Sequence, residues 1–510
     1  METTHFFPEN NPLLFPVEVD VTLRDVLNNA FEVLVREPVI LDMIREDLDA
    51  WGLRKKRMRL ADAAWTRNLT LPLGLEGVEP GGSVPEVVLR SGRPRLSEKA
   101  VYLCVMLRGY LNSLTDREAC ERIRDSITVQ YFFRTHGLGS LPARSTMHEN
   151  VQAVSDRTRQ HIFLRHLFMV GKEGLDDFSS VTLDSTAVKA DSCWPTDSGL
   201  IRDILHRAYR NSQNLRQYGV PNLMPGHAPL WLTKIGALDF RISVASGKGS
   251  AKRRKVFYRT LYAEAGKLIK HMRKELQKHR AGHASAVLPP TLAGRLRELL
   301  CSIGDDLLVA ERVIGYSTER VLKGKGVDLM EKVVSLSDGS AAFIAKGGRE
   351  TVIGYRPQVG RSGNGFVTVL HVPEGNANDA PQLHSLVNEV IRNTGVTPKN
   401  VSTDDGYSSK GGRLEVLSIE GLDALSLSGS KGRRLTPDEA WESEQYQELR
   451  RNRSSVESLI FVLKYVFGFG RVRRRGIEAV RTELLEKVIV YNMMRMVVLR
   501  KRRQRALQTA

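Results

Sequence analysis

The stretch Arg450-Arg451-Asn452-Arg453-Ser454-Ser455-Val456-Glu457-Ser458-Leu459-Ile460-Phe461-Val462-Leu463-Lys464 decides how the rest of the chain is read. Val456, Leu459, Ile460, Leu463 and Phe467 recur at helical spacing and form one apolar stripe. Arg453, Glu457 and Lys464 fall on one face beside that stripe. A carboxylate is thus held between two cations on a helix whose other side is anchored in a core. The bland alternative is a solvated face with an ordinary i,i+4 ion pair, worth roughly 0.2–0.5 kcal/mol. What separates the two is whether other acids converge on Glu457.

Two do so by pattern. Phe178-Ser179-Ser180-Val181-Thr182-Leu183-Asp184 is a short β-prone run that ends in an acid. Asn400-Val401-Ser402-Thr403-Asp404-Asp405-Gly406-Tyr407 repeats the arrangement. Between them lie β-like runs at Val333–Leu336, Ala342–Ile344, Val352–Tyr355 and Phe366–Val372, then a helix from Ala380 to Thr394. Leu422–Leu427 is a further strand. This order predicts an α/β fold, a mixed sheet with flanking helices. Acids at strand ends meet ligands in such sheets. Each could equally start a turn. Three carboxylates in one pocket repel unless divalent cations neutralise them, and hard oxygen ligands suit Mg²⁺ or Mn²⁺. Two such ions, about 3.5–4 Å apart, clamp the oxygens of an in-line phosphoryl transfer.

Composition points to the substrate. The 510 residues carry a net charge of +18, a footprint for a polyanion. The basic residues cluster. Lys248, Lys252, Arg253, Arg254, Lys255 and Arg259 lead into Lys267, Lys270, Arg273, Lys274 and Lys278, against only Glu264 and Glu275. This helical, basic block reads as a phosphate-tracking surface inserted into the α/β domain. Cys104, Cys120, Cys193 and Cys301 make no CxxC pair, so neither a zinc site nor a disulfide framework is indicated. The N-terminal residues lack a signal peptide, and Val488–Leu499 is too short to span a bilayer and contains Arg495. A cytoplasmic, nucleoid-associated protein is expected.

The N-terminal third is helical. Val21–Asp49 has helical periodicity with a break at Pro38, and Leu71–Val88 reads as a linker. Ser97 caps a helix, Ser113–Glu118 forms a turn with a new cap, and Ser145 or Thr146 caps a third helix with Arg144 at its entrance. Arg93 and Arg95 flank Pro94 where they could lie along phosphates. Three short capped helices suit a helix-turn-helix-like DNA-binding module, with a generic bundle as the alternative. The expected organisation is an N-terminal helical arm and linker (1–90) followed by a DNA-binding domain (91–175). A catalytic domain (176–204 and 326–495) is interrupted by the basic insertion (205–325), and a basic tail (496–510) is read as a solvated terminus, with DNA contact as the alternative.

The motifs together resemble the bacterial insertion-sequence transposases of the DDE type, whose catalytic domain has an RNase H-like fold. The matching stretches are Leu183-Asp184-Ser185-Thr186 with Pro195-Thr196-Asp197-Ser198, Thr403-Asp404-Asp405-Gly406-Tyr407, and Arg453-Ser454-Ser455-Val456-Glu457 followed by Lys464. Lys346-Gly347-Gly348-Arg349 and Gly375-Asn376-Ala377-Asn378-Asp379 also look familial. The resemblance implies that Asp184, Asp404 and Glu457 bind two Mg²⁺ or Mn²⁺ ions and are catalytic. It selects Asp404 over Asp405, because the family's acid is followed by one residue and then Gly-Tyr. Relatives often carry a Tyr where this chain has Arg450, and Tyr446 stands one turn away as its substitute. Arg450, Arg453 and Lys464 are expected to hold phosphates. The implied substrates are the terminal inverted repeats and a target, both double-stranded DNA, synapsed by a homodimer. Hydrolysis at the element's end frees a 3′-hydroxyl that attacks the target. An RNase H-like nuclease without strand transfer, an inactive transposase-derived DNA-binding protein and an RNA-binding protein are the alternatives.

Overall fold

Val181 and Leu183 point to one side of a short strand and Thr182 to the other, which commits this segment to the middle of a sheet. The computed structural model describes residues 22–70, 95–111, 115–192, 194–280, 288–328, 332–345 and 351–509. Arg93, Cys193, the 71–88 linker and the Lys346–Arg349 motif lie outside the described residues. The chain divides into two compact units, one built from 1–50, 92–191 and 340–510, the other from 51–91 and 192–339.

The first unit begins with α1 (Leu23–Arg36), closed by a Thr22–Asp25 capping box. Next comes α2 (Val39–Thr70), which starts just past Pro38 and continues into the second unit. Then follow α3 (Glu98–Tyr110), α4 (Asp116–Asp125), α5 (Ile127–Thr135), α6 (Arg144–Ala153) and α7 (Asp156–Lys172). Ser97 caps α3, and Thr115 with Glu118 makes a capping box on α4. The start of α6 differs from expectation. Its N-cap is Ala143, whose carbonyl accepts from Met147 N at 2.9 Å, so Ser145 and Thr146 fall inside the first turn and cap nothing.

Strands β1 (Ser180–Ser185), β2 (Val188–Lys189), β3 (Ala342–Ile344), β4 (Val352–Tyr355), β5 (Gln358–Ser362), β6 (Val367–His371), β7 (Asn400–Thr403) and β8 (Ala424–Leu427) form two sheets among the described residues. The larger has the order β6-β5-β1-β7-β8. β1 runs parallel to β7, and β7 to β8, while β5 is antiparallel to both β1 and β6. The smaller has the order β2-β4-β3. Val181, Leu183, Val369, Val401, Leu425 and Leu427 pack against Leu383, Leu386, Val387 and Val390 of α12 (Leu383–Thr394). The register pairs Leu183 with Thr403, so Asp184 and Asp404 leave adjacent strand ends side by side.

Val333–Leu336 is not a strand. Val333 and Leu336 pack onto the helical core of the second unit and have no ladder partner. β5 was not legible, because Gln358-Val359-Gly360-Arg361-Ser362 has little apolar pattern, yet it is paired on both edges.

After β7 come α13 (Lys410–Leu417), α14 (Ser430–Leu435), α15 (Asp438–Glu442), α16 (Glu444–Asn452), α17 (Ser455–Tyr465) and α18 (Ile477–Thr509), the labels α8–α11 being those of the second unit below. The expected single helix is broken at Arg453–Ser454. Val456 N and Glu457 N bond the carbonyls of Arg453 and Ser454, a tight i→i+3 turn that joins α16 to α17. The basic C-terminal stretch forms the last turns of α18, with Arg502, Arg503 and Arg505 exposed. Arg500 pairs with Glu173 and Glu32, and Lys501 with Asp25.

The second unit is helical, built on α8 (Asp197–Asn214), α9 (Ala228–Val244), α10 (Ser250–Arg280) and α11 (Pro290–Ser317). α10 explains the basic block. Leu261, Ala265, Leu268, Ile269, Met272 and Leu276 enter the core, which leaves Lys252, Arg253, Arg254, Arg259, Lys267, Lys270, Lys274 and Lys278 exposed on the other face.

Candidate active site

The C-terminal ends of β1 and β7 open into a cavity of about 780 Å³. Asp184, Asp404, Glu457, Arg453 and Lys464 all line it, together with Lys189, Ile460, Phe461 and Tyr465. Asp184 is buried at 6% exposure at its base, Asp404 is half-buried, and the Glu457 side chain is 58% exposed at the rim. Val456, Leu459 and Leu463 anchor α17 in the core, which fixes the face that carries Glu457 and Lys464.

Local hydrogen bonds aim the two strand-end acids. Asp184 Oδ1 accepts from Ser185 N at 2.7 Å. Asp404 Oδ1 accepts from Gly406 N at 3.0 Å, an Asx turn that starts the 3₁₀ segment Asp405–Tyr407. Asp405 is occupied elsewhere. Its carboxylate accepts from Lys431 N and Gly432 N, both at 2.9 Å, and so caps α14. Gly429 makes that approach possible, since at φ +97° a Cβ there would sit 2.6 Å from Asp405. Of the neighbouring pair, Asp404 faces the cavity and Asp405 does not line it.

Glu457 accepts from Arg453 within α17's first turn. Among the described residues no group of three or more His, Cys, Asp or Glu side chains is gathered closely enough to hold a metal ion. The donor set is nevertheless chemically suited to a hard divalent cation, being three carboxylates on one cavity. Glu457 is engaged with its i−4 arginine.

Behind the strand ends lies a buried polar cluster that sequence reasoning did not assemble. Asp379 accepts from Arg356 and, at 3.0 Å, from Ser185 Oγ. Gln358 Nε2 donates to Asp379 Oδ1 at 3.3 Å, and Tyr407 OH donates to Gln358 Oε1 at 2.8 Å. Burial, and then the charges of Asp379, Asp184 and Asp404, push the Tyr407 hydroxyl well above its ordinary value, so it stays a donor. The only sequence signal was Asp379's place in Gly375–Asp379 and Tyr407's in the Asp404 motif. Phe461, Tyr465 and Lys189 were also missed as lining residues, because their role depends on which side of α17 and β2 faces the cavity.

The remaining predicted residues scatter. Arg450 stacks on Trp441, its guanidinium carbon 4.1 Å from the ring centroid, with Arg433 at 5.2 Å on the same ring. Tyr446 cannot substitute for the family tyrosine at the DNA. It is buried, and its hydroxyl accepts from Leu427 N at 2.9 Å and donates to Leu427 O at 3.0 Å. Arg95 is paired with Asp49 and, at 3.1 Å, with Glu98. Arg144 is exposed at the first turn of α6. In the second unit, Lys252, Arg253 and Arg254 are exposed, whereas Lys255 Nζ donates to Leu322 O at 3.3 Å.

Two family models match the chain. The Transposase DDE domain matches residues 324–493, and the Transposase domain (DUF772) matches residues 82–153. Asp404 and Glu457 fall inside the first match, and Asp184 lies between the two. No curated protein and no solved structure matches. The mixed sheet with its acid-lined rim is therefore that of a DDE-domain protein. With the second match preceding it, the two matches indicate an insertion-sequence transposase of the DDE type. Among the described residues no helix is long and apolar enough to cross a membrane.

Proposed function

We propose that this transposase binds the ends of its element and cleaves them, then joins the freed 3′-hydroxyls to target DNA, with Asp184, Asp404 and Glu457 as the catalytic acids. The observation that carries the proposal is one cavity lined by all three acids and by Arg453 and Lys464. The strand order β6-β5-β1-β7-β8, antiparallel on one side of β1 and parallel on the other, supports an RNase H-like catalytic domain. Mg²⁺ or Mn²⁺ bound by these carboxylates supplies charge neutralisation and Lewis-acid polarisation of a phosphoryl oxygen.

The chain's own residues do the rest. Lys464 and Arg453 attract the phosphates of the strand into the cavity. A phosphate that takes up the Arg453 guanidinium releases Glu457 to turn toward Asp184 and Asp404. DNA binding thus completes the acid set. The exposed cations of α10 and Arg144 of α6 contribute phosphate contacts that carry no sequence information. A homodimer holding two ends is the assembly this chemistry requires.

The test uses the full-length protein and an oligonucleotide duplex carrying the element's terminal repeat. Metal-dependent nicking and joining are expected from the wild type. Asp184→Asn, Asp404→Asn and Glu457→Gln are expected to lose both while retaining affinity for the duplex. Undiminished cleavage by any of the three refutes its assignment. Cleavage without joining by the wild type reduces the function to that of a nuclease.

A further inference from the structure

We infer that Asp379 is a positioning residue for the reaction, a buried carboxylate that sets the two strand-end acids through their chain neighbours. The inference rests on the catalytic reading of Asp184 and Asp404 given above. Asp379 occupies the N-cap position of the short 3₁₀ segment Ala380–Gln382, where an Asp commonly caps with its own side chain. Here it makes no side-chain cap. Its carboxylate, 1% exposed, is turned to the strand ends instead.

There it holds three pieces of chain. Ser185, the residue after Asp184, donates its hydroxyl to Asp379 Oδ2 and its backbone N–H to Asp184 Oδ1, so one residue couples the two carboxylates. Gln358, at the start of β5, donates to the other oxygen and passes the link to Tyr407, three residues after Asp404. Across Gly406 the approach is direct. A Cβ at that position would lie 2.9 Å from Asp379 Oδ2 and 3.0 Å from Asp404 Oδ1, so only glycine lets both acids close on this turn.

A fourth carboxylate this near two others would raise their repulsion if left bare. Arg356 prevents that. It pairs with Asp379 and also donates its Nε to Ser185 Oγ at 3.2 Å. The Arg356–Asp379 pair is therefore neutral as a unit, yet it orients Ser185 from both sides. The charge of Asp379 is thus cancelled behind the two strand-end acids.

The experiment is single-turnover cleavage of the terminal-repeat duplex by the full-length protein across a Mg²⁺ titration. Duplex affinity is measured in EDTA, and the melting temperature is measured for each variant. Asp379→Asn preserves the shape and removes the charge. It is expected to cleave about 10–100-fold more slowly and to need more Mg²⁺ for half-maximal rate, the size of loss typical when the support of metal-binding groups is removed. Duplex affinity is expected to be unchanged. Asp379→Glu is expected to recover part of the rate. Wild-type rate and Mg²⁺ dependence in Asp379→Asn overturn the inference. So does a rate loss that vanishes when the variant is assayed well below its melting temperature, which is the behaviour of a fold staple. If Asp379→Asn does not fold, Ser185→Ala leaves the Arg356 pair intact and is held to the same two criteria. Glu457→Gln in the same assay separates the layers. If it cleaves, the site reading fails. If it is inert while Asp379→Asn is normal, only the role of Asp379 fails.

Discussion

Arg453→Ala is the substitution whose two effects oppose each other, and their sizes follow from where the side chain sits. Arg453 pairs with Glu457 four residues on, with the Glu457 side chain 58% exposed. An exposed i,i+4 pair is worth roughly 0.3–0.5 kcal/mol. Freeing Glu457 therefore improves divalent-ion binding by the DNA-free protein by only about twofold, since 1.4 kcal/mol is a factor of ten. A charge-assisted hydrogen bond from the same guanidinium to a phosphate is worth about 1.5–3 kcal/mol, so losing it weakens the duplex about 10–150-fold. The loss of DNA dominates. Mn²⁺ binding followed by electron paramagnetic resonance, with and without duplex, and duplex anisotropy in EDTA read the two effects separately. In the wild type, Mn²⁺ affinity should rise when duplex is added. In Arg453→Ala it should be slightly higher without duplex and respond less to it. An Arg453→Ala protein that binds duplex as tightly as the wild type refutes the phosphate role. One whose Mn²⁺ affinity rises on duplex addition as in the wild type refutes the release of Glu457.

Further outcomes follow from the same geometry. Asp405→Ala removes the cap of α14 and should cost about 1 kcal/mol of stability, seen as a lower melting temperature. Asp404→Asn should leave the melting temperature in place and abolish cleavage. Glu486 is buried, which raises its carboxyl, but Arg108, Arg159 and Arg474 outweigh burial and hold it at about 2. A depressed carboxylate contributes stability above its unfolded value that is lost as pH falls through the folded one. The fold should therefore weaken progressively between roughly pH 4.5 and 2 by circular dichroism. Glu486→Gln, which strands the buried guanidiniums, should cost about 3–5 kcal/mol. Replacing Lys252, Arg253 and Arg254 by Ala should flatten the dependence of log affinity on log salt by about 0.9 for each phosphate contact removed, read by anisotropy from low to moderate salt.

How much of this was legible follows from what each residue's neighbours are. β1 and β7 were readable because apolar alternation ends abruptly in an acid, and their parallel register then brings Asp184 beside Asp404 without further information. β5 was not, since its burial comes from pairing on both edges rather than from its own side chains; Gln358 is fully buried because Tyr407 and Asp379 satisfy its amide. The Arg453–Glu457 spacing was correct, but the turn that interrupts the helix there is made by backbone bonds that no side chain announces. Tyr446 stands one turn from the position of the relatives' tyrosine, but it is buried. Leu427 of β8 and Thr436 hold its hydroxyl, from segments that only the fold brings near. The choice between Asp404 and Asp405 rested on family spacing in the sequence. In the structure it has a physical counterpart, because the α14 N-terminus and Gly429 occupy Asp405.

In the proposed reaction Glu457 leaves Arg453 and joins Asp184 and Asp404 when DNA enters the cavity. A crystal structure of the Glu457 wild-type protein with its terminal-repeat duplex and Mn²⁺ tests it directly through the anomalous signal of the ion. The expected result is a peak ligated by Asp184, Asp404 and Glu457, with Arg453 on a phosphate. A peak elsewhere, or Glu457 still paired with Arg453 beside bound DNA, contradicts it.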